Sequence, residues 1–119
     1  MSKNFDLKDR TKKFGIEIII FCQKIPKNAI TLPLISQLVR SGTSIGANYF
    51  EADNAESRND FKHKIGISKK ESDETVYWLE IIKSACPKLD TEINLLHQEA
   101  KELNLIFNAI SNKCQNKPL

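Results

Sequence analysis

Gln37-Leu38-Val39-Arg40-Ser41-Gly42-Thr43-Ser44-Ile45-Gly46-Ala47-Asn48 is the stretch whose reading decides the fold. Leu38, Ser41, Ile45 and Asn48 recur at spacings of three and four, so they share one face of a helix, and Leu34 and Ala52 extend the line. That inner line carries hydroxyls and an amide where a helical bundle ordinarily carries leucine. A neighbouring line, Ile35, Val39, Gly42, Gly46 and Tyr49, is small at its centre. Glycine inside a helix costs about 1 kcal/mol relative to alanine, so Gly42 and Gly46 point to a second helix passing close to the backbone. Ser68-Lys69-Lys70-Glu71-Ser72-Asp73-Glu74-Thr75-Val76-Tyr77-Trp78-Leu79 repeats the anomaly with carboxylates. Arg40, Ser44, Asn48 and Glu51 share one helix face, and Glu71 and Glu74 share another. The expectation is a structural polar core in which these six residues face each other inside the bundle. Such groups specify register and assembly more than they add net stability.

Outward from this pair the chain reads as four helices in one domain, 1–119. The first covers about 6–25, with Leu7, Thr11, Phe14, Ile18, Phe21 and Ile25 as its seam. Ile16 and Ile20 form a second apolar line, so this helix is expected to be buried on two sides. Pro26 stops it. The second helix, about 33–54, opens near Pro33, a residue suited to the first helical position. Ser57-x-x-Asp60 resembles a capping box before the third, about 58–86, whose line Phe61, Ile65, Ser68, Ser72, Thr75, Leu79, Ile82 is polar only in the middle. Asp90 caps the fourth, about 90–112, with the cleanest seam: Ile93, Leu96, Ala100, Leu103, Phe107, Ile110. The polar tail 113–119 is expected to fray. Short connections make consecutive helices antiparallel neighbours, which gives an all-α, up-down-up-down four-helix bundle.

Composition sets the class. With 119 residues, 40% hydrophobic and 28% charged, the chain can bury one core and is too apolar to be disordered. Cys22, Cys86 and Cys114 are odd in number and form no C-x-x-C pair, so reduced thiols in a cytoplasmic protein are expected. The most apolar run, 14–22, is too short for a bilayer and contains Glu17, and no export signal is legible. No membrane partner is expected.

Catalytic and metal chemistry find little support. Asp60-x-x-His63 and Asn94-x-x-His97 fall short of the Glu-x-x-His pairs of di-iron bundles, so no metal and no cofactor are expected. The thiols have no neighbouring histidine in sequence, Ser41 and Ser44 lie on a helix face, and no phosphate loop with its lysine is present. The chain is expected not to be an enzyme. A small-molecule or metal site in the polar layer is the weaker alternative. Net charge is only +3, but Lys8, Arg10, Lys12 and Lys13 on the first helix, with Arg58, Lys62, Lys64, Lys69 and Lys70 on the third, are candidate phosphate contacts. Arg58 and Lys62 join the first-helix group as the chosen nucleic-acid contacts. Lys69 and Lys70 lie beside Glu71, Asp73 and Glu74 and read as locally neutralised.

Four segments carry a family resemblance: 6–14, 37–48 with Glu51-Ala52, Asp60-Phe61, and 68–79. Together they resemble the bacterial four-helix-bundle proteins first noticed as reading frames within intervening sequences of large-subunit ribosomal RNA genes. The likeness covers about residues 5–110. It implies a bundle that assembles as a homopentamer, related to accessory proteins of diversity-generating retroelements that look like basic pentamers binding nucleic acid. Ile16, Ile20, Val39, Gly42, Gly46, Tyr49 and Tyr77 are the expected contacts between copies. The function expected is a non-enzymatic binding or scaffolding protein with RNA or DNA as partner. The alternative is a scaffold for another protein with no nucleic-acid role.

Overall fold

A computed structural model describes residues 6–116. It contains four long helices and no strand among the described residues: α1 (Leu7–Gln23), α2 (Thr31–Asp53), α3 (Arg58–Ala85) and α4 (Asp90–Asn116), with a short 3-10 turn, Pro87–Leu89, before α4. The apolar seams meet in one core. Phe14 and Ile18 of α1, Leu38 and Ile45 of α2, Ile65 and Leu79 of α3, and Leu103 and Phe107 of α4 are all essentially inaccessible to solvent.

Local chemistry places the helix ends. Asp6 accepts the Asp9 amide at 3.2 Å, and Ser57 accepts the Asp60 amide at 3.0 Å, each satisfying a donor that the first turn leaves without a partner. The second helix starts two residues earlier than Pro33 suggests. Asn28 is the reason: its side-chain oxygen accepts the amides of Ile30 and Thr31, both at 2.9 Å, while the Thr31 hydroxyl accepts the Asn28 amide at 3.0 Å. Pro33 then sits in the first turn, just after Leu32, whose amide donates to the Asn28 carbonyl at 3.0 Å. The fourth helix runs past 112, because 113–116 contains no breaker and the first proline is Pro118. The last three residues of the expected frayed tail lie outside the described residues.

α2 packs against α1 and α3, and α4 against α3 and α1, the α1–α4 seam being the least extensive. Side-chain pairs give the register. Lys8 meets Asp53 across α1 and α2; Lys64 meets Glu51 and Arg40 meets Glu71 across α2 and α3; Lys83 meets Asn94 across α3 and α4; Arg10 meets Glu99 and Lys24 meets Glu92 across α1 and α4.

Two glycines explain the tight α1–α2 approach. A Cβ on Gly42 would stand 2.9 Å from Ile18 Cγ1, and one on Gly46 would stand 3.1 Å from Thr11 Oγ1. Expected between copies, Gly42 and Gly46 instead face α1 of their own chain.

Candidate functional site

The α2–α3 seam is polar at its centre for a local reason. Ser41, Ser68, Ser72 and Thr75 are wholly buried, and small side chains let the two backbones close in. Each hydroxyl has a partner, as burial requires. Ser68 donates to the Ile45 carbonyl of α2 at 2.9 Å, and the Ser41 and Thr75 hydroxyls lie 3.0 Å apart. Asn104 closes the layer from α4, donating to the Ser72 hydroxyl at 2.9 Å and the Lys69 carbonyl at 3.2 Å.

Arg40 clamps the edge of this seam. One guanidinium nitrogen donates to both Glu71 oxygens at 3.0 and 3.2 Å, the other donates to Glu74, and Nε donates to Gln37 at 3.2 Å. Glu71 is 10% exposed, whereas Arg40 is 44% and Glu74 39% exposed. The clamp therefore seals one buried carboxylate from the surface side. Burial, which disfavours the charged guanidinium, is outweighed by the hydrogen bonds to Glu74 and Glu71, and the Arg40 pKa lies above its ordinary value.

Of the six expected polar-core residues only Glu71 is buried; Arg40 and Glu74 lie at the edge, and the other three stand elsewhere. Ser44 donates to the Arg40 carbonyl at 2.6 Å and Asn48 to the Ser44 carbonyl at 2.9 Å, so both serve their own helix. Glu51 is exposed and pairs with Lys64 at 2.6 Å. A shared helix face is wider than the strip that reaches the interior.

The expected phosphate contacts divide sharply. Lys8 pairs with Asp53 at 3.0 Å and lies 5.3 Å from the centre of the Phe50 ring. Arg10 forms a fork with Glu99, at 2.7 and 2.8 Å, and reaches Glu102 at 2.9 Å. The hydrogen bond to Glu99 is the main reason its pKa lies well above the ordinary arginine value. All its charge is thus matched by carboxylates of α4. Arg58 is exposed in the first turn of α3 and is itself engaged. Lys12, Lys13 and Lys62 are exposed and form no hydrogen bond or ion pair among the described residues.

The expected contacts between copies divide too. Ile16, Ile20 and Tyr77 are about half exposed, and Ile19 joins them at 42%. Val39 packs against the core from its edge. Tyr49 packs edge-on against Phe107, ring centres 5.7 Å apart, so its contact is internal. Beside Ile16 and Ile19, a groove of about 410 Å³ runs between α1 and α2, floored by Gly15 and Gly46 and edged by Lys12 and Phe50.

Residues 3–109 match the family described as 23S rRNA-intervening sequence protein. The chain belongs to that family. A solved structure similar to it is a protein of unknown function from the S23 ribosomal protein family of Bacteroides thetaiotaomicron VPI-5482. The two are 31% identical, with a TM-score of 0.77, over 87% of this chain and 96% of the other. No curated protein matches.

Among the described residues of this family member, no group of His, Cys, Asp and Glu is placed to hold a metal ion, and no helix is long and apolar enough to cross a membrane. His97 lies 2.8 Å from Glu80. The three cysteines are free, and burial pushes the Cys22 thiol up to about 11.

Residue types alone did not reveal two features. Asn104 completes the hydroxyl layer, yet a lone asparagine on α4 carries no sequence signal for it. Of the three acids expected to neutralise Lys69 and Lys70, Glu71 and Glu74 pair with Arg40 instead, which leaves Asp73.

Proposed function

We propose that the protein is a non-enzymatic, self-assembling binding scaffold: an up-down-up-down bundle closing into a homopentamer that holds RNA. The start-to-end pairings between consecutive helices, such as Lys8 with Asp53 and Lys83 with Asn94, support the up-down topology. One observation carries the assembly: Ile16, Ile19 and Ile20 lie exposed together on one helix, next to Phe50 at 55% and Leu95 at 66%. Scattered exposed apolar side chains are ordinary, but a continuous apolar surface marks a contact with another surface. Membership of the 23S rRNA-intervening sequence family, and a relative assigned to a ribosomal protein family, support RNA as the partner. Unpaired Lys12, Lys13 and Lys62, repeated around a ring, would raise avidity without new contacts. The compartment proposed is the cytoplasm, where free Cys22, Cys86 and Cys114 stay reduced.

Light scattering tests the assembly. The expected mass is near five times the 13.6 kDa chain, and Ile16→Glu with Ile20→Glu should lower it to one chain with helix content kept. A monomeric wild type at micromolar concentration overturns the reading. Titration of a labelled RNA at two salt concentrations tests the partner: affinity should fall steeply as salt rises, and no binding at low salt removes RNA. The engagement of Lys8 and Arg10 by carboxylates favours the second reading, an assembly that recruits another protein.

A further inference from the structure

Gly66 stands apart from the other glycines. A Cβ built on Gly15, Gly42 or Gly46 meets atoms of a neighbouring helix, whereas one on Gly66 meets nothing within 4 Å. Gly66 is exposed in the N-terminal third of α3, two turns past its start and without positive φ. Glycine is disfavoured there by its backbone freedom, and no packing inside the chain requires it. The residues three and four positions away on either side, its neighbours on the helix surface, are Lys62, His63, Lys69 and Lys70. None of these four side chains forms a hydrogen bond or ion pair among the described residues. Of the acids that follow the lysine pair, Glu71 and Glu74 are paired with Arg40 on the α2 side. Asp73, one turn beyond Lys69 and Lys70, is the acid left near this face.

From this arrangement we infer that the outer face of α3 at Gly66 is a docking site for the phosphodiester backbone of single-stranded RNA. The inference rests on the RNA reading and gives it a place. The missing side chain leaves a bare patch of helix backbone, so a phosphate can lie against it. The lysine heads then converge on its oxygens from both sides instead of reaching past an intervening side chain. Lys62 and Lys70 are eight residues apart, about 12 Å along the axis at 1.5 Å per residue, which suits a run of phosphates better than a single anion. Lysine contributes point charge without base preference, so the site tracks backbone and not sequence.

The test uses the full chain and a labelled single-stranded RNA, titrated at about 50 and about 200 mM salt. Gly66→Leu keeps every charge and favours the helix. It should hold or raise the thermal midpoint and leave the assembly mass unchanged, while weakening RNA binding about tenfold. Lys62→Gln with Lys70→Gln should flatten the slope of log affinity against log salt by about 1.4, two contacts to a single strand. Unchanged affinity in Gly66→Leu overturns the site, and so does a fall in its assembly mass, which would show a second copy covering the glycine. If wild type binds and only Lys12→Gln with Lys13→Gln weakens it, the RNA reading stands and this site falls. If wild type fails to bind at low salt, both fall.

Discussion

The α2–α3 seam and the outer side of α1 treat their side chains in opposite ways. On the seam, buried hydroxyls of Ser41, Ser68, Ser72 and Thr75 are matched within the chain, and Arg40 covers Glu71. On α1, Ile16, Ile19 and Ile20 are left in the open beside a groove. The difference follows from what each kind of group tolerates. A polar group without a partner is costly once buried, so the seam must be completed by the chain itself. An apolar group in water is penalised only in proportion to its area, so α1 can leave these side chains exposed.

The largest test of that contrast is Arg40→Ala. It strips the buried Glu71 of its counter-charge and should destabilise the fold by about 3 kcal/mol in urea unfolding. Glu74→Ala removes a well-exposed partner and should cost less than about 1 kcal/mol. An equal loss in both would mean that the clamp is an ordinary surface ion pair.

Cys22 probes the inner side of α1. Its folded-state pKa is raised, from 9.0 to about 11, by burial. The neutral thiol therefore contributes fully below about pH 9, and that contribution is lost as pH climbs through about 11. Stability should fall by up to about 3 kcal/mol across this window at roughly 1.36 kcal/mol per pH unit, and Cys22→Ala should lack this component of the decline. A decline identical in the variant would show that α1 is wet on its inner side.

Glycines sharpen the comparison at a smaller scale. Gly42→Ala gains helix propensity but drives a methyl group into fully buried Ile18, and a net loss of about 1–3 kcal/mol is expected. Gly66→Ala meets nothing and should gain up to about 1 kcal/mol. Opposite signs in thermal unfolding separate a glycine used inside the chain from one that is not. Thr75→Val, which keeps the shape and removes one hydroxyl from the layer, should cost about 1 kcal/mol in the same unfolding measurement.

Much of the fold was legible because a helix seam is a one-dimensional pattern. Phe14, Ile18 and Phe21 on α1, and Ile93, Ala100 and Leu103 on α4, fall on lines readable by spacing and are buried in the structure. The polar strip of α3 was equally plain. Its partners were not: Glu51 and Asn48 share a helix face with Arg40, yet one pairs with Lys64 and the other bonds its own helix. Spacing gives a direction to within a wide arc, and a few degrees of helix rotation decide whether a side chain reaches inward or outward. Tyr49 shows the same limit, since its apolar body suits a core or an interface and only the position of Phe107 selects the core.

The sequence by itself determined four helices, their seams and the unusual polarity of the second and third, because periodicity, caps and breakers act within a few residues of one another. Tertiary structure alone decided which charge finds which partner. Arg40 takes Glu71 and Glu74 from across a helix boundary, while Lys69 and Lys70, beside a bare Gly66, have no ion pair among the described residues. Electrostatic pairing falls off over a few ångströms in space, and distance along the chain says little about which groups come that close.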